Sequence, residues 1–578
     1  MQPSSGDAKR GASRQLRRYG PIAGVLVVIA VIAVLVTLGG GDGDDEPEAE
    51  DSQTAPVDIG PGDDVVPYSY ALEEGFADEI EWGDNCDTDA GRIKIPTTLV
   101  VDCFKPFDGD NGGETEQGVT GETIDVVFYQ SNPSDLLLQA LFDLIGNDDT
   151  NEQILATIHN YINMYESLYE TYGRKVNLIP FEGTGIATDE VSAVADAETI
   201  ARDYTPFMVV GGPLLNAAFA ETLAQNGIMC VACNPGRPDS WYVERDPYVY
   251  GVSLSSSQTR EHVAEYVCKR LAGDPAIHAG DADFHDDERV FGLITTETGP
   301  ESVEMNDLFV DLLQDCGVDL AEVLTYTDAT TDLPNTVTGM VSKLKASGVT
   351  SLIFLGDPVA PQLITTTATE QEYFPEWILT GSALVDTTAF ARTYDQQQWA
   401  HAFGPSGLWA RQPIEEEGSY FLHEWFCGFP PPADETSGVI IAPMAILYNV
   451  LQGVGPDLSY QRWRDVLFTA PPVESTVVSP YLSYGDRGLW DTTDFNGADD
   501  MTEVWWDPEA SGPDERGQEG NGMYVYVDGG TRYLPGEWPE TDPKVFDDDG
   551  AVLIYEEPPE GLELPDYEPP EHPACERA

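Results

Sequence analysis

The nearest approach to a chemical motif lies toward the C-terminus. There Thr492-x-Asp494-x-Asn496-Gly497, with Glu503 after the intervening Ala498 to Thr502, approximates the spacing at which an EF-hand loop gathers oxygens around calcium. The first position is Thr rather than Asp, and in so acidic a chain near-matches arise readily, so an acidic surface loop is the expectation. Gly183-Thr184-Gly185 follows an apolar run as a dinucleotide fingerprint would, but Thr188 stands where its next glycine belongs, and no nucleotide is expected. Cys230-Val-Ala-Cys233 has the spacing of a metal knuckle without a second pair or histidine partners, which favours a structural disulfide. No GxSxG, HExxH or P-loop occurs, and the 7 histidines are scattered without ligand spacing. These absences point to binding rather than turnover, with no cofactor, no metal and no catalytic residue.

The charge narrows the partners. With 102 acidic against 28 basic residues, the formal charge is -74, a field that repels nucleic acid phosphates and anionic headgroups. Dense carboxylate with few lysines suits a high-salt, halophilic setting, where screening relieves self-repulsion. The 8 cysteines are an even count that favours disulfides in an oxidising compartment, and Cys86 with Cys103 and Cys268 with Cys316 are the expected pairs because each flanks one structural unit.

The elements that must position any site begin beyond a membrane segment. Residues 1–20 form a basic segment with Lys9, Arg10, Arg14, Arg17 and Arg18, and the uncharged apolar run 21–38 has about the ~20 residues needed to cross a bilayer. Residues 39–64 are acidic and rich in Gly and Pro, a self-repelling spacer. The positive-inside bias places the N-terminus in the cytoplasm and the main body outside, on a single-pass anchor rather than a cleaved signal. Residues 65–117 read as a disulfide-stapled extension. From Gly118 onward ETIDVVFYQ, KVNLIPFE, PFMVVGG and IMCVAC alternate with helical segments, the first of them marked by a Thr150/Gln153 capping box and a Gly173 stop. A second series runs from YVYGVSL through RVFGLITT, LAEVLTYT, TSLIFLG and WILTG. This alternation predicts an α/β chain of two doubly wound parallel-sheet lobes joined by a hinge: lobe 1 over 118–250, lobe 2 over 251–388, returning segments of both over 389–484, and an acidic C-terminal extension over 485–578.

The order GVTGETIDVVFYQ, YGRKVNLIPFEGTG and FMVVGGPLLNAAFAETLAQNGIMCVAC resembles the opening of type 1 periplasmic binding proteins, specifically the branched-chain amino acid type of ABC transporter substrate-binding protein. The resemblance covers roughly 118–469. It implies a solute held between the lobes by residues at strand ends. In lobe 1 these are Gln130, Gly212, Asn216 and Asn234; in lobe 2 they are Thr296, Glu297 and Asp357, the last meeting a ligand ammonium. A Gly-Pro loop lets backbone N–H groups approach a ligand carboxylate at a helix start, where the dipole is positive. The chain departs from the family pattern where Leu214, Leu215 and Asn216 replace a hydroxyl residue, where Cys233 and Asn234 stand, and where Thr295 to Gly299 lack an aromatic residue. The amino-acid clamp is therefore kept only in part.

The resemblance implies capture of a small polar solute, amino acid or amide-like, for delivery to an ABC permease in the membrane. Two alternatives stand beside it: a surface sensor or adhesion module with the same fold, since fold does not fix function, and a hydrolase built on the C-terminal extension.

Overall fold

A computed structural model describes residues 59–578, apart from Leu214, Asn234, Pro235, Asp328, Thr330, Thr331, Glu417 and the side chains of Leu137, Ala140 and Leu144. The basic segment, the apolar run 21–38 and most of the acidic spacer lie outside the described residues.

The chain enters lobe 1 through the extension, where the short strands β1 (Cys86–Asp87) and β2 (Arg92–Ile93) pair antiparallel and the expected Cys86–Cys103 disulfide forms. Val66, Tyr68, Trp82, Ile93 and Ile95 are buried in the lobe 1 core, so this segment is part of the lobe rather than an appendage. The strands β3 (Thr123–Gln130), β4 (Lys175–Glu182), β5 (Met208–Val210), β6 (Met229–Val231) and β7 (Val249–Tyr250) are all parallel, in the order β4-β3-β5-β6-β7. Lobe 2 repeats the plan with β8 (Phe291–Thr296), β9 (Glu322–Tyr326), β10 (Ser351–Leu355), β11 (Glu376–Ile378) and β12 (Ala402–Ser406), in the order β9-β8-β10-β11-β12. Both are doubly wound sheets whose order reverses beside the first strand.

Strand composition follows from burial on both faces. In β10, Leu352 and Phe354 join one core layer of lobe 2 while Ile353 and Leu355 join the other, the period of two expected of a sheet covered on both sides. The stretch from 485 onward continues this sheet. β13 (Met501–Pro513) pairs antiparallel with β12, β14 (Glu519–Tyr526) pairs with β13, and β15 (Arg532–Tyr533) adds a short rung. Val504, Trp506, Tyr524 and Tyr526 enter one layer, and Trp505 and Val525 the other.

The helix Asn151–Leu168 starts at the Thr150/Gln153 capping box but ends before Gly173. Tyr169 turns extended, its ring packing edge-on against Tyr165 at 5.1 Å, and Gly173 (φ +78°) makes the later turn into β4. Against this helix packs Ser437–Val454, which among the described residues is long and apolar enough to cross a membrane but is 56% buried here. Its Tyr448 stacks on Tyr165 at 5.0 Å. Arg174, from the GRKV string, is buried and donates to the carbonyls of Asn111, Gly113, Thr120 and Pro456, tying the extension, the start of β3 and the end of that helix to one guanidinium.

Three crossings join the lobes: between β7 and the helix Ser256–Tyr266, between β12 and the helix Gly418–Cys427, and between the helix Tyr460–Thr469 and β13. They bond to each other, Gly251 N–H to Phe495 O at 2.8 Å and Ala410 N–H to Val477 O at 3.0 Å. The EF-hand-like string lies in the third crossing, and the expected surface loop is instead buried: Asp494, Asn496, Asp499 and Asp500 are each at most 2% exposed. Asp494 accepts from Gln258 Nε2 and the Asn496 N–H, and Asp499 from Ser483 Oγ and Trp490 Nε1. Burial, then the charge of Asp499, holds Asp494 well above the usual carboxylate range. Glu503 is on β13, bonded to Arg270 and Tyr266. Among the described residues no group of three or more acidic, His or Cys side chains is arranged to hold a metal.

Two outcomes are expected. At the base of lobe 2, Glu376 accepts from Arg289 Nε at 2.8 Å and from Ser351 Oγ at 2.6 Å, with both ionic partners buried. Removing one partner strands the other charge, so Glu376→Ala should cost about 3–5 kcal/mol in urea unfolding, and a loss below about 1 kcal/mol would contradict this accounting. In the helix that follows the first crossing, burial and then the carboxylates of Asp239 and Asp491 push Glu261 up to about 7. A pKa raised on folding stabilises below the unfolded value and loses that contribution as pH rises through the folded one. Glu261→Gln should therefore match the parent's urea midpoint near pH 4.5 and exceed it progressively through pH 7; parallel curves across that window would contradict the assignment.

Candidate ligand crevice between the lobes

In open parallel sheets a ligand crevice lies beyond the carboxyl ends of the strands, where the order reverses. In lobe 1 that place is between β3 and β5, which end at Gln130 and before Gly211; in lobe 2 it is between β8 and β10, which end at Thr296 and before Gly356. The two edges face one another. Arg237, in the loop after β6, pairs with Glu301 in the first turn of the helix after β8 at 2.7 Å, with the side chains only 16% and 23% exposed.

Six of the expected residues stand at these two reversals, and their geometry separates them. Gly211 has φ +73°, and a Cβ on Gly212 would lie 2.9 Å from the Cys233 carbonyl oxygen and 3.0 Å from the Phe219 ring, so the Gly-Pro loop is fitted to its neighbour. The helix it leads to, Ala218–Gln225, has no side-chain cap. Uncapped first-turn N–H groups at a switch point suit a carboxylate. Asn216 is buried and donates from Nδ2 to Ala187 O at 3.0 Å, which holds the loop in place. Gln130 donates to Asn151 O at 2.8 Å. Asn234 lies outside the described residues. In lobe 2, Thr296 is half-buried and Glu297 exposed at the end of β8.

Asp357 has a different occupation from the expected ammonium contact. It is 4% exposed; Oδ2 accepts from Tyr326 OH at 2.6 Å, and Oδ1 from the N–H groups of Val359 and Ala360, both at 2.9 Å. It caps the helix Ala360–Glu370 and anchors β9 to β10. Burial pushes its carboxyl up, opposed by the Tyr326 hydrogen bond.

Two parts of the crevice escaped sequence reasoning. One is the Arg237–Glu301 pair, which no spacing signals because its partners sit in different lobes. The other is the helix Leu136–Ile145, inserted directly after β3. It is tied to lobe 1 through Asp135, which accepts from Ala187 N–H at 2.8 Å, while Leu141 and Ile145 pack on the core of lobe 2 and Arg516 donates to the Ile145 carbonyl. The run LLLQALFDLI, apolar except for Gln139 and Asp143 and closed by Gly146, was the available signal. It lays an apolar helix from one lobe to the other beside the switch strand.

A cavity of about 180 Å³ lies elsewhere, between the extension and lobe 1, lined by Trp82, Asn85, Phe104, Tyr169, Glu170 and Gln452 among others. Glu170 already accepts from Phe107 and Tyr172 N–H, and Gln452 from Glu170 N–H. With these polar groups engaged, the crevice is the better candidate site.

No family model and no curated protein matches the sequence. Solved structures do resemble the chain. A solute-binding protein of an ABC transporter from Rhodopseudomonas palustris HaA2, in complex with p-hydroxybenzoic acid, is 10% identical over 72% of this chain and 98% of that one, with a TM-score of 0.48. An ABC transporter substrate-binding protein from Sphaerobacter thermophilus is 12% identical over 72% of this chain and 100% of that one, with a TM-score of 0.48. The branched-chain amino acid transporter substrate-binding protein LivJ from Streptococcus pneumoniae, in complex with isoleucine, is 10% identical over 70% of this chain and 100% of that one, with a TM-score of 0.44. All three are solute-binding or substrate-binding proteins of transporters.

Proposed function

We propose that the protein is an extracytoplasmic solute-binding protein, anchored by the helix predicted over 21–38, that captures a small polar solute between closing lobes and delivers it to an ABC permease. The observation that carries the reading is that two doubly wound sheets meet at the edges where their strands end, joined there by the Arg237–Glu301 pair. In this reading the first-turn N–H groups of Ala218–Gln225 receive an anionic group of the solute, and Glu297 is the carboxylate left to meet a cationic or amide end. Asp357 positions the helix and strand around the site rather than touching the solute. That internal commitment, with the partly kept clamp, also supports a second reading, a surface sensor or adhesion module with the same fold. Hinge closure itself needs no catalysis.

The test is a thermal-stability screen of the chain from Val65 onward, in high salt, against amino acids, amides, urea-like solutes and sugars. A true solute at ~100 times its Kd adds about 2.7 kcal/mol, so one chemical class should shift the transition clearly; a folded sample that no class shifts moves the assignment to the sensor or adhesion reading. With the solute in hand, Glu297→Gln should weaken a cationic or zwitterionic ligand by about 1.5–3 kcal/mol, the worth of a charge-assisted hydrogen bond. Asp357→Asn should instead lower the unfolding midpoint, and calorimetry on both variants separates the two roles.

A further inference from the structure

Besides the three crossings, the chain passes between the lobes a fourth time, at its end. Tyr555 belongs to lobe 2: its ring packs on that core, its N–H donates to Arg411 O at 2.8 Å and its hydroxyl to Gly529 O at 2.8 Å. Val552 pairs with Tyr526 at the end of β14. From Tyr567 onward the chain belongs to lobe 1. The Tyr567 carbonyl accepts from Trp425 Nε1 at 2.6 Å, and its hydroxyl donates to Asp87 of the extension at 2.8 Å. Asn160 and Glu576 exchange two hydrogen bonds, 2.8 and 3.0 Å long, and the Arg577 guanidinium lies 3.7 Å from the centre of the Phe429 ring. The Cys427–Cys575 disulfide makes the attachment covalent.

Between these anchors the chain has no helix or strand. It carries Pro558, Pro559 and Pro565 with Glu556, Glu557, Glu560, Glu563 and Asp566, a composition that prolines stiffen and like charges extend. At ~3.3–3.6 Å per residue the run from Tyr555 to Tyr567 reaches at most about 43 Å. Three chain crossings near one another permit rotation about them; a fourth link of bounded length, covalently closed, restricts it.

We propose that residues 556–575 are a strap that limits how far the lobes separate, held on lobe 1 by the Cys427–Cys575 disulfide. This goes beyond solute capture but rests on the reading that the lobes move about the hinge. Reduction of that bond, or loss of the Tyr567 contacts, lengthens the tether and widens the resting crevice.

The experiment is small-angle scattering of the chain from Val65 onward, without solute, carrying a protease recognition sequence inserted after Gly561. Cutting there leaves the core, the hinge and all four disulfides in place. The expected result is a larger radius of gyration after cutting, reproduced by the uncut double variant Cys427→Ser with Cys575→Ser, and an intermediate value for the uncut insertion. An unchanged radius in the cut protein, with its far-ultraviolet spectrum intact, overturns the strap even if the double variant misfolds. Because the measurement needs no solute, a negative ligand screen leaves it decisive, and a negative scattering result leaves solute capture standing.

Discussion

Parallel strands cannot be rejoined by a tight turn; each return must cross the sheet through a helix, so every strand of a lobe ends on the same edge. That constraint organises this molecule. It makes each lobe a sheet with helices on both faces, requires strands apolar in both directions, and collects all the strand-to-helix loops of a lobe at one edge. Two such edges turned toward each other define a crevice before any side chain is considered. The antiparallel addition of β13 and β14 beside β12 does not disturb this arrangement, because it extends the far side of lobe 2 from the reversal.

The joint between the lobes buries a cluster of polar groups, Asp494, Asn496, Asp499 and Asp500 among them. A hinge built of three adjacent segments cannot satisfy its backbone with regular ladders alone, and side chains complete it: Gln258 and Ser483 reach Asp494 and Asp499, and Tyr484 donates to Gly251 O. Two carboxyls side by side in this setting can share a proton, whereas two carboxylates would repel at low local dielectric. The Arg270–Glu503–Tyr266 group and the Arg532–Asp500 pair close the lobe 2 side.

Several arginines in this chain of strongly negative charge are used inside rather than at the surface. Arg92, Arg174, Arg392 and Arg532 each donate to two or more backbone carbonyls where loops converge. A guanidinium suits this because its five donors lie in a fixed plane and it is more weakly hydrated than an ammonium, so it costs less to bury. The carboxylates outside remain a solvated shell, and the arginines hold the irregular segments beneath it.

Local pattern determined a good deal by itself. The run VVFY within β3 and the run SLIFL of β10 are strands because apolar residues continue through both phases of the pleat, KVNLIPFE is the more exposed edge strand beside β3, and the Thr150/Gln153 box marks a helix start with two hydrogen bonds between near neighbours. Cys86 with Cys103 and Cys268 with Cys316 were legible because each pair brackets one unit, and the reversals at Gln130, Gly212, Thr296 and Asp357 followed from the family order of motifs. What only the tertiary structure decided depends on partners distant in sequence. Asp357 turned inward because Tyr326 and a helix start were waiting beside it; Arg237 met Glu301 across the crevice; and Cys427 found Cys575, 148 residues on. Nearest-neighbour spacing carries periodicity, caps and turns, but the burial of a carboxylate, and the partner that makes that burial tolerable, are properties of the assembled lobes.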